Sequence, residues 1–170
     1  MAAQPRIAIV PAKSLTGYSI AQEDFAEAAS QTFKQGAIVT LLAGYLQEAG
    51  ADPGLILGVA SRDGQNGATV GVKRQSVYLA HPSTLFQGSL DNGSGTTTLA
   101  ATDVGKMYGL AKHGATGKWY VDSTDVTNKR VVIWGFWRGA QDGLPAGVGD
   151  TLAQVYFQFD PTYFQGSRTS

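Results

Sequence analysis

The chain has no cysteine. Disulfide staples, thiol nucleophiles, CxxC redox chemistry and thiolate zinc sites are therefore excluded together. Charge is scarce as well. Charged residues make up 15% of the 170 positions, with 13 basic against 13 acidic side chains and no net charge. Such a chain has little electrostatic pull on the phosphates that dominate nucleic-acid binding, and no basic stripe occurs. Lys73-Arg74, inside a strand pattern, is the nearest approach. There is no long apolar run: the stretch Ile7 to Val10 is too short for a signal peptide or a membrane span. The expectation is a soluble protein with no nucleic-acid or membrane partner. A neutral, charge-poor surface suits a protein that works packed against others.

Helix signals are also few. One candidate covers 21–33, with Ser19 as N-cap and Phe25, Ala28, Ala29 and Phe33 on one face. What is plentiful is glycine, spread between short runs of Val, Thr and aromatic residues, the pattern of many short strands joined by tight turns. Strands are expected at 36–42, 45–49, 55–61, 69–79, 107–112, 118–122, 129–137 and 151–159. Turns are expected at Ala43-Gly44, 50–54 and 62–67, where Asp63-Gly64 and Asn66-Gly67 are hairpin dipeptides. In 155–159, Val155, Phe157 and Phe159 alternate with polar neighbours and mark a half-buried strand. In 131–137 both faces are apolar. Val131, Ile133 and Trp137 share one face and Val132, Trp134 and Phe136 the other, so one face is expected to meet a partner. Trp134 and Phe136 are the expected oligomer contact. The fold class is mainly β: a single small β-barrel or β-sandwich at 18–170, with an extended N-terminal arm at 1–17 and at most one short helix.

The arm carries its own expectation. Arg6 to Val10 is apolar and β-branched, lies between Pro5 and Pro11, and has no local hairpin partner. Such a segment can add to the edge of a neighbouring sheet, with Ile7 and Ile9 filling pockets there. Burial of two Ile side chains contributes roughly 3–6 kcal/mol before ordering costs. Arg6, Ile7, Ile9 and Val10 are thus expected to contact a capsid or neighbouring subunit, and removal of residues 1–12 should leave the fold intact.

No catalytic constellation is visible. His81 precedes a proline, His113 sits beside a glycine, and neither has the spacing of a paired ligand. Asp122 and Asp125 could hold Ca²⁺ by spacing, yet the EF-hand pattern is missing and Asp, Ser and Thr are ordinary turn residues. Asn92-Gly-Ser-Gly95 lacks the Lys of a phosphate loop, and no GxSxG elbow occurs. The expectation is a non-enzyme without catalytic residues, metal or cofactor, which folds unaided.

Several strings resemble the cement (decoration) proteins of tailed-phage capsids. They are Thr32-Phe-Lys-Gln-Gly-Ala-Ile-Val39, Ala43-Gly-Tyr-Leu46, Gly50-Ala-Asp-Pro53 and Leu55-Ile-Leu-Gly-Val-Ala60. Further on come Thr102-Asp-Val-Gly-Lys-Met-Tyr-Gly-Leu110, Gly117-Lys-Trp-Tyr-Val-Asp122 and Thr127-Asn-Lys-Arg-Val-Val132. The resemblance spans 30–160 and rests on the order of these structural motifs. It implies a compact β domain on the outer surface of the virion head, assembled in the host cytoplasm. Its partners would be the major capsid protein and itself, as a homotrimer or, second, a dimer, and an N-terminal arm often makes the contact. The rival readings are another virion part, such as a head-fibre base or tail protein, and a carbohydrate-binding β-sandwich with an exposed aromatic platform.

Overall fold

The computed structural model describes residues 6–137, 149, 151 and 153–165. They form a mainly β fold of eleven strands, as the turn-rich sequence predicts. The strands are β1 (Val10–Ser14), β2 (Gln22–Ala26), β3 (Ile38–Leu42), β4 (Tyr45–Glu48), β5 (Gly58–Ala60) and β6 (Arg74–Leu79). They continue with β7 (Thr84–Asp91), β8 (Met107–Lys112), β9 (Trp119–Asp122), β10 (Val131–Phe136) and β11 (Gln154–Phe159). Among the described residues the helical structure is two 3-10 turns, Ala101–Asp103 and Pro161–Tyr163, and no helix is long and apolar enough to cross a membrane.

Two curled sheets share one hydrophobic core. The larger runs β1-β7-β11-β10-β8-β9, and β9 then returns to β7 through the parallel pairs Leu90↔Val121 and Asp91↔Asp122. Strands 7, 11, 10, 8 and 9 thus close a small barrel, which removes its edges. The alternation in β11 is borne out: Val155, Phe157 and Phe159 point inward and are buried. Phe157 and Phe159 meet Phe86 of β7 with ring centroids 4.8–6.2 Å apart, within the favourable range for aromatic pairs.

The smaller sheet runs β2-β6-β5-β3-β4, and a bridge between Glu27 and Leu46 brings β2 round towards β4. The predicted Ala43-Gly44 turn joins β3 to β4, with φ of 50° and 85° at its two central residues, the signs a tight hairpin requires. Residues after β11 return to this sheet. Gln165 donates to Leu41 O and accepts from Leu41 N and the Thr40 hydroxyl, clamping β3 from outside.

Three expectations are corrected. The 21–33 segment is not helical: Gln22–Ala26 pairs antiparallel with β6 over five residues, and the cross-strand ladder overrides a modest helical propensity. The strand Thr84–Asp91 was not anticipated. It is central, pairing with β1, β9 and β11. The arm is an integral part of this chain's own domain. Val10–Ser14 pairs with β7, and Ile9 is 0% exposed inside the common core. A neighbour's sheet is not needed, because the missing partner strand is the unanticipated β7. Residues 1–5 of the expected arm lie outside the described residues.

Candidate docking surface

The arm is tied down before it enters β1. Two donors of Arg6 converge on one oxygen of Asp91, Nε donating to Oδ2 at 2.7 Å and Nη2 to the same oxygen. Nη2 also donates to Gly93 O at 3.0 Å, and the guanidinium lies 5.5 Å from the centre of the Tyr120 ring. Asp91 is fully buried and the Arg6 side chain 11% exposed. Lys118 Nζ donates to Arg6 O, and Ile7 N to Ser89 Oγ. Ile9 lies so close to Gly36 that a Cβ there would stand 2.6 Å from Ile9 N. Of the four expected contact residues, Arg6 and Ile9 are committed internally, Ile7 is half-buried on β7, and Val10 pairs with Gln87.

The expected oligomer pair also separates. A register shift between Ile133 and Gly135 inserts Trp134 as an extra residue in β10. Beyond this bulge the faces exchange. Phe136 pairs with inward-pointing Val155 and packs against the core, whereas Trp134 stays outside at 50% exposure. Phe136 therefore turns towards this chain's own core and is half-buried there. Trp134 leans towards β11, donating from Nε1 to Gln158 Oε1 at 3.1 Å.

On the opposite side of β10, towards β8, lies a groove of about 620 Å³. Its walls include Lys106, Met107, Tyr108, Ser123, Val126 and Lys129. Met107 is the cross-strand partner of Val132, so the outer face of this pair continues the apolar surface. Val126 is 58% exposed, and Val104 one turn before β8 is 45% exposed. Beneath the rim, Tyr108 Oη and Lys106 Nζ both donate to Asp103 Oδ1, at 2.8 and 2.9 Å. These contacts hold the Asp103 carboxyl below its ordinary range. Burial opposes them, and the Ala100 N–H, Lys106 and Tyr108 outweigh it. Val104 and Val126, both in loops, were not singled out from the sequence. A lone valine between polar residues carries no periodic signal.

The acidic residues weighed as Ca²⁺ ligands are occupied by their own loop. Asp122 Oδ1 accepts from the Thr124 N–H and hydroxyl, and Asp125 Oδ1 from the N–H groups of Thr127 and Asn128. Asp125 Oδ2 faces Asp52, which the sequence did not connect with it, and Asn128 Nδ2 donates to both carboxyls. Partial burial, then the hydrogen bond to Asp125, raises the Asp52 pKa. Burial pushes Asp125 the same way, but the N–H groups of Asn128 and Thr127 bring it below its ordinary value. The two histidines are local turn elements: His81 Nδ1 accepts from Ser83 N, and His113 Nδ1 from Thr116 N. No three His, Cys, Asp or Glu side chains converge as a metal site among the described residues.

The geometry defines a closed, mainly β domain with an external groove lined by both apolar and polar side chains. No family model, curated protein or solved structure matches the chain.

Proposed function

We propose that this chain is a structural virion protein, a cement protein that binds the outside of an assembled tailed-phage head and stabilises the major capsid protein lattice. The observation that carries the reading is the groove beside β8, where Met107 and the exposed Val126 lie among Lys106, Tyr108, Ser123 and Lys129. A concave surface that mixes apolar side chains with polar and charged ones is what a non-obligate protein partner covers. Lys106 is already paired with Asp103, but Lys129 makes no ion pair among the described residues. The surface presented to the shell thus mixes apolar and polar groups and carries one positive charge, Lys129, outside any ion pair among the described residues.

The mechanism is linkage. A protein that binds the expanded shell and not its precursor stabilises the expanded state, by about 2.7 kcal/mol at a concentration one hundred times Kd. Self-association as a homotrimer, or as a dimer, would present several grooves together and add avidity.

The test is addition of the purified chain to expanded heads that lack it, followed by co-sedimentation and electron microscopy. Ordered density on the outer shell and raised heat resistance of the heads are expected. Val126→Asp should abolish attachment while leaving the unfolding midpoint in place, since Val126 is exposed. Density confined to a fibre base or the tail would assign the protein to that part instead. Undiminished binding of Val126→Asp would refute the groove as the contact.

A further inference from the structure

Among the described residues only two aromatic side chains are largely exposed, Tyr18 at 80% and Trp134 at 50%. Both border the same connection, residues 80–83 between β6 and β7. Tyr18 lines a groove of about 280 Å³ together with Thr16, Ser19, His81, Ser83 and Thr84. Trp134 approaches from the other side: its indole donates to Gln158 Oε1, and Gln158 Nε2 in turn donates to Pro82 O. This surface is distinct from the docking groove, which lies on the β8 side of β10.

The chemistry of the lining narrows the ligand. None of the groove residues is Asp, Glu, Lys or Arg, so nothing there recognises a phosphate, a peptide terminus or a metal ion by charge. What it offers is an aromatic ring, hydroxyl groups and one imidazole. Ser83 N–H donates to His81 Nδ1 at 3.1 Å, and Ser83 Oγ lies 2.7 Å from the same nitrogen. Nδ1 is therefore the acceptor, and Nε2 carries a proton. No group among the described residues accepts from that N–H, and His81 is exposed. A saccharide has the complementary character: an apolar C–H face that stacks on an aromatic ring, and hydroxyls that both donate and accept. The volume lies just below the range of drug-sized ligand pockets, which suits one sugar ring at a time along an open surface.

We propose that this surface binds a neutral oligosaccharide. Tyr18 stacks on one ring, and His81 Nε2–H with the hydroxyls of Thr16 and Ser19 bonds that ring's hydroxyls. Trp134 stacks on a further ring beyond Pro82. The proposal stands on residues outside the docking groove and does not depend on attachment to a capsid.

The full chain would be titrated with neutral tetrasaccharides of glucose, mannose, galactose and N-acetylglucosamine, and with the corresponding monosaccharides. Indole fluorescence and calorimetry would report binding. At least one tetrasaccharide should bind saturably at millimolar concentration or below, more tightly than its monosaccharide. Loss of one stacking ring corresponds to about ten-fold in affinity. Tyr18→Ala should therefore weaken both ligands, whereas Trp134→Ala should weaken the tetrasaccharide and spare the monosaccharide. Val126→Asp, in the docking groove, should change neither, which separates this proposal from the capsid reading. Absence of saturable binding across the panel, or binding indifferent to both aromatic substitutions, would overturn it.

Discussion

Replacement of Arg6 by Met leaves the carboxylate of Asp91, which is fully buried, without its counter-charge. Breaking a buried ion pair from one side costs about 3–5 kcal/mol. Here the lower end applies, because Asp91 Oδ1 retains its hydrogen bond from Gly95 N at 2.9 Å. Ile9→Ala removes a side chain that is 0% exposed, and such truncations cost about 2–5 kcal/mol. The upper half applies, since Gly36 meets the Ile9 backbone and Gly88 meets its side chain, so the surrounding strands have little room to collapse. Together the two losses reach about 6.5–8 kcal/mol, if near-additive, against a total stability of about 5–15 kcal/mol for a typical domain. A chain beginning after Ile9 should therefore be largely unfolded, the opposite of what a free arm predicts. Urea titration followed by the fluorescence of buried Trp119 measures each step. The double variant Arg6→Met with Asp91→Leu should recover part of the loss, because no orphaned charge remains. A truncated chain with an unchanged midpoint would refute the assignment of these residues to the core.

Three further outcomes follow from local geometry. The folded-state pKa of Asp52 is raised above its ordinary 3.8, so its ionisation opposes folding, and the penalty is absent below that value, grows as pH rises towards the folded pKa and is complete above it. Asp52→Asn should accordingly raise the thermal midpoint at neutral pH and not at pH 3, and calorimetry showing the reverse order would refute the upward shift, to which burial contributes most and Asp125 next. Gly58→Ala should cost about 3 kcal/mol or more, because its Cβ would stand 2.1 Å from the backbone oxygen of Tyr78. Gly50→Ala, with nothing within 4 Å, should stay within about 0.5 kcal/mol. Ala43 holds a φ of 50° in the β3–β4 turn, a conformation that costs an ordinary residue about 1–2 kcal/mol. Ala43→Asn should raise stability by up to about 1 kcal/mol in the same titration.

The sequence by itself determined the class of fold and much of the strand inventory, because alternation and turn chemistry are local. Ala43-Gly44 makes its hairpin, and Val155, Phe157 and Phe159 point inward as their spacing requires. Failures occur where a distant partner decides. Thr84–Asp91 has both faces largely buried, and Gly88 and Ser89 interrupt its apolar run. The glycine is needed there because a Cβ would come within 3.1 Å of Ile9 and Phe157, a constraint that lies far away in the chain. With β7 unrecognised, Arg6 to Val10 looked like an arm without a home. In β10 the spacing put Phe136 beside Trp134, and one inserted residue reversed that relation, since a period of two exchanges faces with every single-residue shift. The docking groove was illegible for a similar reason. Val126 and Met107 are separated along the chain, and only closure of the barrel, with β9 returning to β7 and β8 lying between β9 and β10, sets the β9–β10 loop against β8. Local residue chemistry is written along the chain; which surfaces are left uncovered depends on contacts between residues far apart in it, and the tertiary structure alone decides those.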